Sequence, residues 1–149
     1  MTLTQAPLTG DARLAGSQAT QRVDDQLVEV LARVPGMQLA LLFGSVAQGR
    51  QRPDSDLDIA LAARRVLTPA QRIALIETLA QRTGRPVDLI DLRTVGEPLL
   101  GQIVRHGRRL LGSDSAYGQL ISRHLFEQAD FMPYRSRLLA ERRAAWTGK

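Results

Sequence analysis

Two aspartates one residue apart, Asp56 and Asp58, open the apolar segment DLDIALAA. This segment is predicted to be a strand, on which residues two apart point to the same face, so the two carboxylates are predicted to lie side by side. Neighbouring carboxylates repel each other, and folding gains nothing from that arrangement unless a cation lies between them. Hard divalent ions such as Mg²⁺ accept oxygen ligands from carboxylates and substrate phosphates. The pair therefore predicts a metal–phosphate site; the alternative is an exposed strand with a polar face.

Gly44 and Ser45 follow the apolar segment LALLF, which is predicted to be a buried strand ending at a glycine turn. Glycine permits a tight turn and the close approach of a phosphate. Backbone N–H groups and the serine hydroxyl at such a turn can donate to phosphate oxygens. A polar loop then returns the chain to the aspartates. The sequence therefore predicts that a phosphate cradle and metal ligands come from adjacent strands.

A third acid is expected near this pair, to hold a second metal or to act on a proton. The segment VDLID supplies Asp88 and Asp91. These residues are three apart, so they face opposite sides of a strand and only one of them can point into the site. Asp88 lies on the face opposite the apolar residues, whereas Asp91 lies near the strand end and could begin the turn. We favour Asp88 and leave Asp91 as the alternative.

The elements around these residues follow from apolar spacing and capping signals. Residues 1–18 have no period and predict a flexible tail, and a helical stripe begins at Val23. Thr68 as N-cap, Pro69 at the first position and Gly84 past the end bound a second helix. Its inward side is predicted to carry Ile73, Ile76, Leu79 and Ala80.

Two further helices are predicted in the second half of the chain. TVGE has the form of a capping box, with Thr94 and Glu97, and predicts a helix that Gly107 closes. A last helix is predicted over residues 115–143, with a break at Pro133 and an inward face of Ile121, Leu125, Ala129 and Met132. The order of elements is that of an α+β domain over residues 19–149, a small mixed sheet backed by helices with a C-terminal helical extension.

Composition excludes several classes of protein. The chain has 149 residues, 44% of them hydrophobic, which is typical of one globular domain. It has no cysteine, so disulfides and Cys-based zinc sites are excluded. We find no signal peptide and no apolar run that would cross a membrane, and we expect a cytoplasmic protein. The net charge of +5 comes mostly from arginine and does not by itself define a partner.

The combined motif resembles a known family. Gly44-Ser45, ten residues and then Asp56-Leu57-Asp58 fit the form GSxAxGxxxxxSDxD, with Ala47, Gly49 and Ser55 also in place. The sequence is similar to the nucleotidyltransferase superfamily of the DNA-polymerase-β type, and most of all to its minimal nucleotidyltransferase (MNT) antitoxins. GRPVDLIDL resembles the third-acid strand of that family, and SRHLFEQADFMPYRSRLL resembles its C-terminal helix. Gln48 departs from the pattern, because many relatives have a basic residue there; Arg50 or Arg52 is the candidate for its phosphate contact.

The resemblance implies a polymerase-β-like fold and an enzyme that transfers AMP from ATP. It implies nucleotide binding by Gly44, Ser45 and Ser55, and two Mg²⁺ ions on the catalytic residues Asp56, Asp58 and Asp88. A hydroxyl would attack the α-phosphorus and pyrophosphate would leave. In the antitoxin branch the hydroxyl belongs to a tyrosine of a partner toxin, a HEPN-domain RNase, in a hetero-oligomer. No membrane and no direct nucleic-acid contact are implied.

Two other functions remain open from the sequence. A small-molecule nucleotidyltransferase, like those acting on aminoglycosides, usually carries a further domain that a chain of 149 residues has little room for. A non-catalytic antitoxin would only mask its toxin, and would have no physical reason to keep clustered acids. The basic C-terminus, with Tyr134 and Trp146, is either a solvated helix end or a surface for a partner.

Overall fold

The fold was obtained as a computed structural model, which describes residues 10–47 and 55–147. Within these residues, helices and strands follow in the order α1 (Gly10–Leu31), β1 (Met37–Phe43), α2 (Gly44–Ala47), β2 (Leu57–Ala63), α3 (Pro69–Thr83), β3 (Val87–Asp91), α4 (Leu99–His106), β4 (Arg108–Gly112) and α5 (Asp114–Thr147). The predicted order of the longer elements is confirmed. The structure adds the single turn α2 and shows that RRLLG, for which the sequence leaves a brief strand or a turn open, is a strand.

The strands form one mixed sheet in the order β3-β2-β1-β4. Strand β1 pairs antiparallel with both β2 and β4, whereas β2 and β3 run parallel. The parallel pair is possible because α3 carries the chain back between its two strands. The predicted α+β fold, a small mixed sheet backed by helices, is therefore confirmed.

Helices cover both faces of the sheet and enclose two apolar clusters. On one face, the buried helix residues are Leu27 and Leu31 of α1 and Leu75 and Leu79 of α3. On the other face, they are Leu100 and Ile103 of α4 and Leu120 of α5. The sheet is thus buried on both sides, and polar side chains on its strands need a particular reason.

The alternation of strands β2 and β3 decides where their carboxylates point. Leu57 and Ile59 are buried on the α1/α3 face, so Asp58 between them points to the α4/α5 face. On β3, Leu89 is buried on the α1/α3 face, and Asp88 beside it points the other way. Both aspartates therefore lie on the same face of the sheet.

Helix α1 begins at Gly10, so residues 10–18, which were predicted to be a tail, are helical. The predicted boundary at residue 18 falls inside this helix. Residues 16–19 are exposed, which explains why they carry no hydrophobic period. The predicted stripe after Val23 is confirmed, since Leu27 and Leu31 are fully buried. Residues 1–9 lie outside the described residues, and the single domain over residues 19–149 stays a prediction.

Both ends of helix α3 lie where the sequence predicts them. Thr68 and Gln71 form a capping box at its start, and Gly84 caps its end with a φ of 68°. The prediction of its inward side is partly wrong, because Ile73 is 58% exposed whereas Leu75 and Leu79 are buried. Ile73 lies about 200° around the helix from Leu75, so the two cannot share one face.

The capping box predicted for TVGE does not form. Helix α4 begins at Leu99, and its N-cap residue Pro98 makes no side-chain capping bond. The Thr94 hydroxyl instead donates to the backbone carbonyl of Asp91. Glu97 contacts the buried His124 of α5 and accepts a hydrogen bond from the N–H of Gly101. Gly107 closes α4 as predicted, with its N–H donating to the Ile103 carbonyl.

Helix α5 differs from its prediction in extent and orientation. It runs without a break through Pro133 to Thr147, although a proline inside a helix removes a backbone donor and crowds the preceding turn. Its inward side is formed by Leu120 and His124, and Leu125 is 58% exposed. Side chains 131–136, including Met132, lie outside the described side chains. Although α5 is long, no helix in the described ranges has the apolar run that a membrane crossing requires.

Candidate active site

Gly44 lies at the junction between β1 and α2, next to the carboxylate of Asp58. Its φ is +77°, a conformation that favours glycine. A Cβ at this position would lie 2.3 Å from Oδ2 of Asp58, closer than any side chain tolerates. Ser45 follows in α2 and is exposed. The glycine that the motif requires therefore leaves room for the Asp58 carboxylate itself.

Asp58 and Asp88 are neighbours across the parallel strands β2 and β3, since their Cα atoms are register partners. Asp58 is also the register partner of Phe43, the residue directly before Gly44. Asp56 is exposed and lies just before the first residue of β2. The end of β1 and the starts of β2 and β3 thus meet at one edge of the sheet, and the predicted site residues of these strands are brought together there.

The electrostatics of this edge fit a cluster of acids. The pKa of Asp58 is raised above its ordinary value, first by burial and then by the negative charges of Asp88 and Asp56. Phe43, which is 9% exposed, is the apolar neighbour on one side of Asp58. Phe43 is not among the residues that the motif predicts for the site, although its position immediately before the Gly-Ser turn is a signal. The three acids therefore interact, and the most enclosed of them resists ionisation.

Asp91 belongs to the other end of β3 and does not face this edge. Its register partner is Leu61, near the end of β2. Its Oδ1 accepts a hydrogen bond of 2.8 Å from the N–H of Arg93, which shapes the turn after the strand. Of the two acids that the sequence left open, the structure thus brings Asp88 to Asp58 and assigns Asp91 to the turn.

A metal ion would have only oxygen donors at this edge. The described residues hold no group of three or more His, Cys, Asp or Glu side chains arranged as a cage for an ion. Such a cage is not required for Mg²⁺, which keeps several waters and usually binds through one or two carboxylates and substrate phosphates. The adjacent Asp58 and Asp88, with Asp56 close enough to act on the pKa of Asp58, have the donor chemistry that this ion prefers.

Several predicted residues lie at or beyond the limit of the described part. Ser55, half-buried, directly precedes Asp56. Residues 48–54 are outside the described residues, and with them Gln48, Gly49, Arg50 and Arg52. The phosphate contact that was predicted for one of these arginines therefore stays a prediction.

Residues 25–116 match the model of the polymerase beta nucleotidyltransferase family. The chain belongs to this family. The matched range contains the Gly-Ser turn, the two aspartates of the DxD motif and strand β3, so the family assignment and the geometry of the edge concern the same residues. The resemblance noted from the motif is thereby confirmed at the level of the superfamily.

Two similar proteins indicate which part of this family the chain resembles. The protein adenylyltransferase MntA of Shewanella oneidensis is 37% identical over 91 residues, which are 60% of this chain and 66% of that protein. A toxin–antitoxin structure with AMP-PNP matches 78% of this chain and 98% of the other, with 31% identity and a TM-score of 0.64.

A second structure shows a tri-AMPylated HEPN toxin of Shewanella oneidensis in complex with MNT antitoxin. It matches 80% of this chain and 98% of the other, with 28% identity and a TM-score of 0.61. The similarity in both structures extends over most of the chain, well past the Gly-Ser and DxD motif.

Proposed function

We propose that this chain is a protein adenylyltransferase antitoxin that transfers AMP from ATP to a HEPN-domain toxin and so neutralises it. The observation that carries the proposal is the edge at which Asp58 and Asp88 are register partners and Gly44 makes room for the Asp58 carboxylate. The similarity to the adenylyltransferase MntA and to an antitoxin in complex with an AMPylated toxin supports the choice of reaction.

In this proposal the Gly-Ser turn holds the nucleotide. Gly44, with its positive φ, ends β1 in a turn, and the backbone N–H groups at this turn are proposed to donate to phosphate oxygens. The exposed hydroxyl of Ser45 is available for the same purpose, and Ser55 stands at the other end of the connecting loop. The triphosphate would thus be oriented with its α-phosphorus towards the carboxylates.

The chemical step is an in-line substitution at the α-phosphorus. The oxygen of the acceptor hydroxyl forms a bond to phosphorus, the bond to the bridging oxygen breaks, and pyrophosphate leaves. Asp88, exposed beside Asp58, takes the hydroxyl proton or orients the hydroxyl for attack. We propose Asp56, Asp58 and Asp88 as the residues that hold Mg²⁺. When bound, two such ions would neutralise phosphate charge and stabilise the attacking and leaving oxygens.

The acceptor is proposed to be a tyrosine of the cognate toxin, and the reaction to take place in the cytoplasm, where ATP is available. A phenolic hydroxyl suits this role because it loses its proton more readily than an aliphatic hydroxyl. The tri-AMPylated toxin of the similar complex indicates that more than one AMP can be added in such a pair.

The test is intact mass spectrometry of the toxin after incubation with this chain, ATP and Mg²⁺. We expect a gain in whole steps of AMP, and no gain with Asp56→Ala/Asp58→Ala. Digestion of the product should place AMP on a tyrosine. If the two proteins bind each other but the parent chain adds no AMP, the chain is a masking antitoxin and the proposal is wrong. If neither binding nor transfer occurs, a small hydroxylated substrate becomes the better candidate.

A further inference from the structure

Helix α5 extends well beyond the domain against which it packs. It has 34 residues, which corresponds to about 50 Å at ~1.5 Å per residue. Its buried side chains are Leu120 and His124, and every described side chain after Glu127 is exposed. We call residues 125–147 the outer segment. Because most helical stability in proteins comes from packing of an apolar face, the exposed apolar side chains of the outer segment indicate a surface that a partner covers.

The outer segment carries most of the exposed large apolar side chains of the described residues. They are Leu125, Phe126, Leu138, Leu139 and Trp146, with exposed fractions of 58%, 72%, 40%, 53% and 94%. Such a concentration on one element is typical of an interaction site, whereas single exposed apolar residues are ordinary.

The spacing of these residues indicates the kind of surface that would cover them. Leu125, Leu139 and Trp146 are separated by multiples of seven residues. Seven residues are close to two helical turns, so the three side chains lie along one side of α5. Met132 completes the series in the sequence. An apolar stripe along one side of an exposed helix fits a second helix packed lengthwise against it.

The charge of the outer segment indicates the chemistry of that partner. Beyond residue 136 the sequence has Arg137, Arg142, Arg143 and Lys149 against the single acid Glu141. An apolar seam flanked by arginines fits a partner helix whose apolar side chains are flanked by Asp or Glu. Arginine and tryptophan are also residue types that often dominate the binding energy of an interface.

We propose that the outer segment of α5 is the docking surface for the toxin, and that it pairs with a toxin helix that has an apolar seam and acidic flanks. This inference rests on the proposed function, because it takes the partner from there. It assigns binding and chemistry to different parts of the chain: the outer segment holds the toxin, and the carboxylate edge modifies it.

A second copy of this chain is a poorer match for the same surface. A parallel pair in register would bring Arg142 and Arg143 of the two copies together. An antiparallel pair that matches Leu125 with Trp146 would set these arginines opposite Ala129 and Gln128. Neither arrangement sets a carboxylate directly opposite these two arginines.

The test compares the affinity of the full chain for its cognate toxin between matched variants. We expect Leu139→Ser/Trp146→Ser to weaken binding at least about 10-fold, since exposed interface anchors of this type carry much of the affinity. The control is Val66→Ser/Ile73→Ser, which makes the same change at apolar side chains that are 60% and 58% exposed elsewhere. Arg142→Glu/Arg143→Glu should weaken binding as well, and Arg64→Glu/Arg65→Glu, a pair of adjacent exposed arginines, should not.

This inference and the proposed function can fail separately, because toxin binding and AMP transfer are measured in different experiments. If the outer-segment variants bind the toxin as the parent does, the docking surface is wrong, even where AMP is transferred. If light scattering shows a dimer of the parent that the serine variant abolishes without affecting toxin binding, the surface serves self-association and the inference is overturned. If the serine variant loses toxin binding but the parent transfers no AMP, the docking surface stands and the adenylyltransferase assignment falls.

Discussion

At the scale of single residues, the account depends on how closely Gly44 and Asp58 approach each other. Two effects oppose a side chain at Gly44: the positive φ of 77° and the distance of 2.3 Å between a Cβ and Oδ2 of Asp58. Gly84 has a similar φ of 68° but nothing within 4 Å of its Cβ position. A substitution at Gly84 therefore measures the cost of backbone strain alone, whereas a substitution at Gly44 adds the clash with the Asp58 carboxylate.

We predict that Gly84→Ala lowers the free energy of unfolding by about 1–2 kcal/mol, the usual cost of a left-handed conformation. Gly44→Ala should lower it further and should also abolish AMP transfer, because the Asp58 carboxylate must move. Chemical denaturation and the transfer assay measure the two effects. Equal destabilisation by the two substitutions, with transfer retained in both, would show that the close approach has no importance.

The raised pKa of Asp58 gives a prediction about stability and pH. Because the folded state binds the Asp58 proton more tightly than the unfolded chain does, the folded state loses stability as the pH rises past the ordinary pKa of an aspartate, about 4. Asp58→Asn removes that loss. Without divalent ions, the variant should melt at a higher temperature than the parent at pH 7, and the difference should shrink towards pH 4.

Added Mg²⁺ supplies the control for this experiment. It should raise the melting temperature of the parent at pH 7 and have little effect on Asp58→Asn, since a bound ligand stabilises only the protein that binds it. A variant that melts below the parent at pH 7 without ions would mean that the carboxylate stabilises the fold, contrary to the account.

At the level of helices and strands, capping residues in the sequence predicted a helix start correctly only where no long-range contact competed for the same side chains. Thr68 caps α3 because its neighbours are exposed and the capping box is its best set of partners. Thr94 and Glu97 have the same pattern, but Glu97 is drawn to the buried His124 on another helix. A sequence pattern shows which residues can cap, and it does not show which long-range partner will compete for them.

We therefore predict different effects for two threonines with the same sequence signal. Thr68→Ala should lower the free energy of unfolding by about 1 kcal/mol, the usual cost of losing an N-cap. Thr94→Ala should be close to neutral, because its hydroxyl makes one exposed bond to the Asp91 carbonyl and caps no helix. Denaturation of both variants in one buffer measures the difference, and a larger loss for Thr94→Ala would contradict the account of α4.

Substitutions at two helical glycines, Gly101 and Gly118, test how closely α4 and α5 pack against each other. A Cβ at Gly101 would lie 2.9 Å from Oε2 of Glu97 and 2.9 Å from Cε1 of His124, whereas Gly118 on α5 has nothing within 4 Å. Gly101→Ala should destabilise the protein because the buried Glu97–His124 pair must shift. Gly118→Ala should stabilise it, by up to about 1 kcal/mol from helix propensity. Thermal melts will show whether the two substitutions have opposite signs, as predicted.

At the scale of the whole molecule, the sequence was most informative where chemistry restricts the residue type. The Gly-Ser turn follows from a glycine after a buried strand, whereas the pairing of Asp56 with Asp58 and the choice of Asp88 over Asp91 follow from alternation on strands. The structure brings these residues to one edge. The orientation of α5 could not be predicted, because its apolar residues serve two surfaces. Leu120 and His124 are buried against the rest of the domain, while Leu125 and Leu139 are exposed, so no single stripe describes the helix.

The central claim is that the carboxylates at this edge carry out AMP transfer, and Asp88 and Asp91 offer the most direct measurement. Both lie on β3, but only Asp88 is the register partner of Asp58. The rate of AMP transfer to the toxin should be measured for Asp88→Asn and Asp91→Asn beside the parent, with ATP and Mg²⁺ saturating. We predict a loss of at least about 100-fold for Asp88→Asn, equivalent to about 2.7 kcal/mol of transition-state stabilisation, and a change below about 10-fold for Asp91→Asn. A larger loss for Asp91→Asn than for Asp88→Asn would contradict the account.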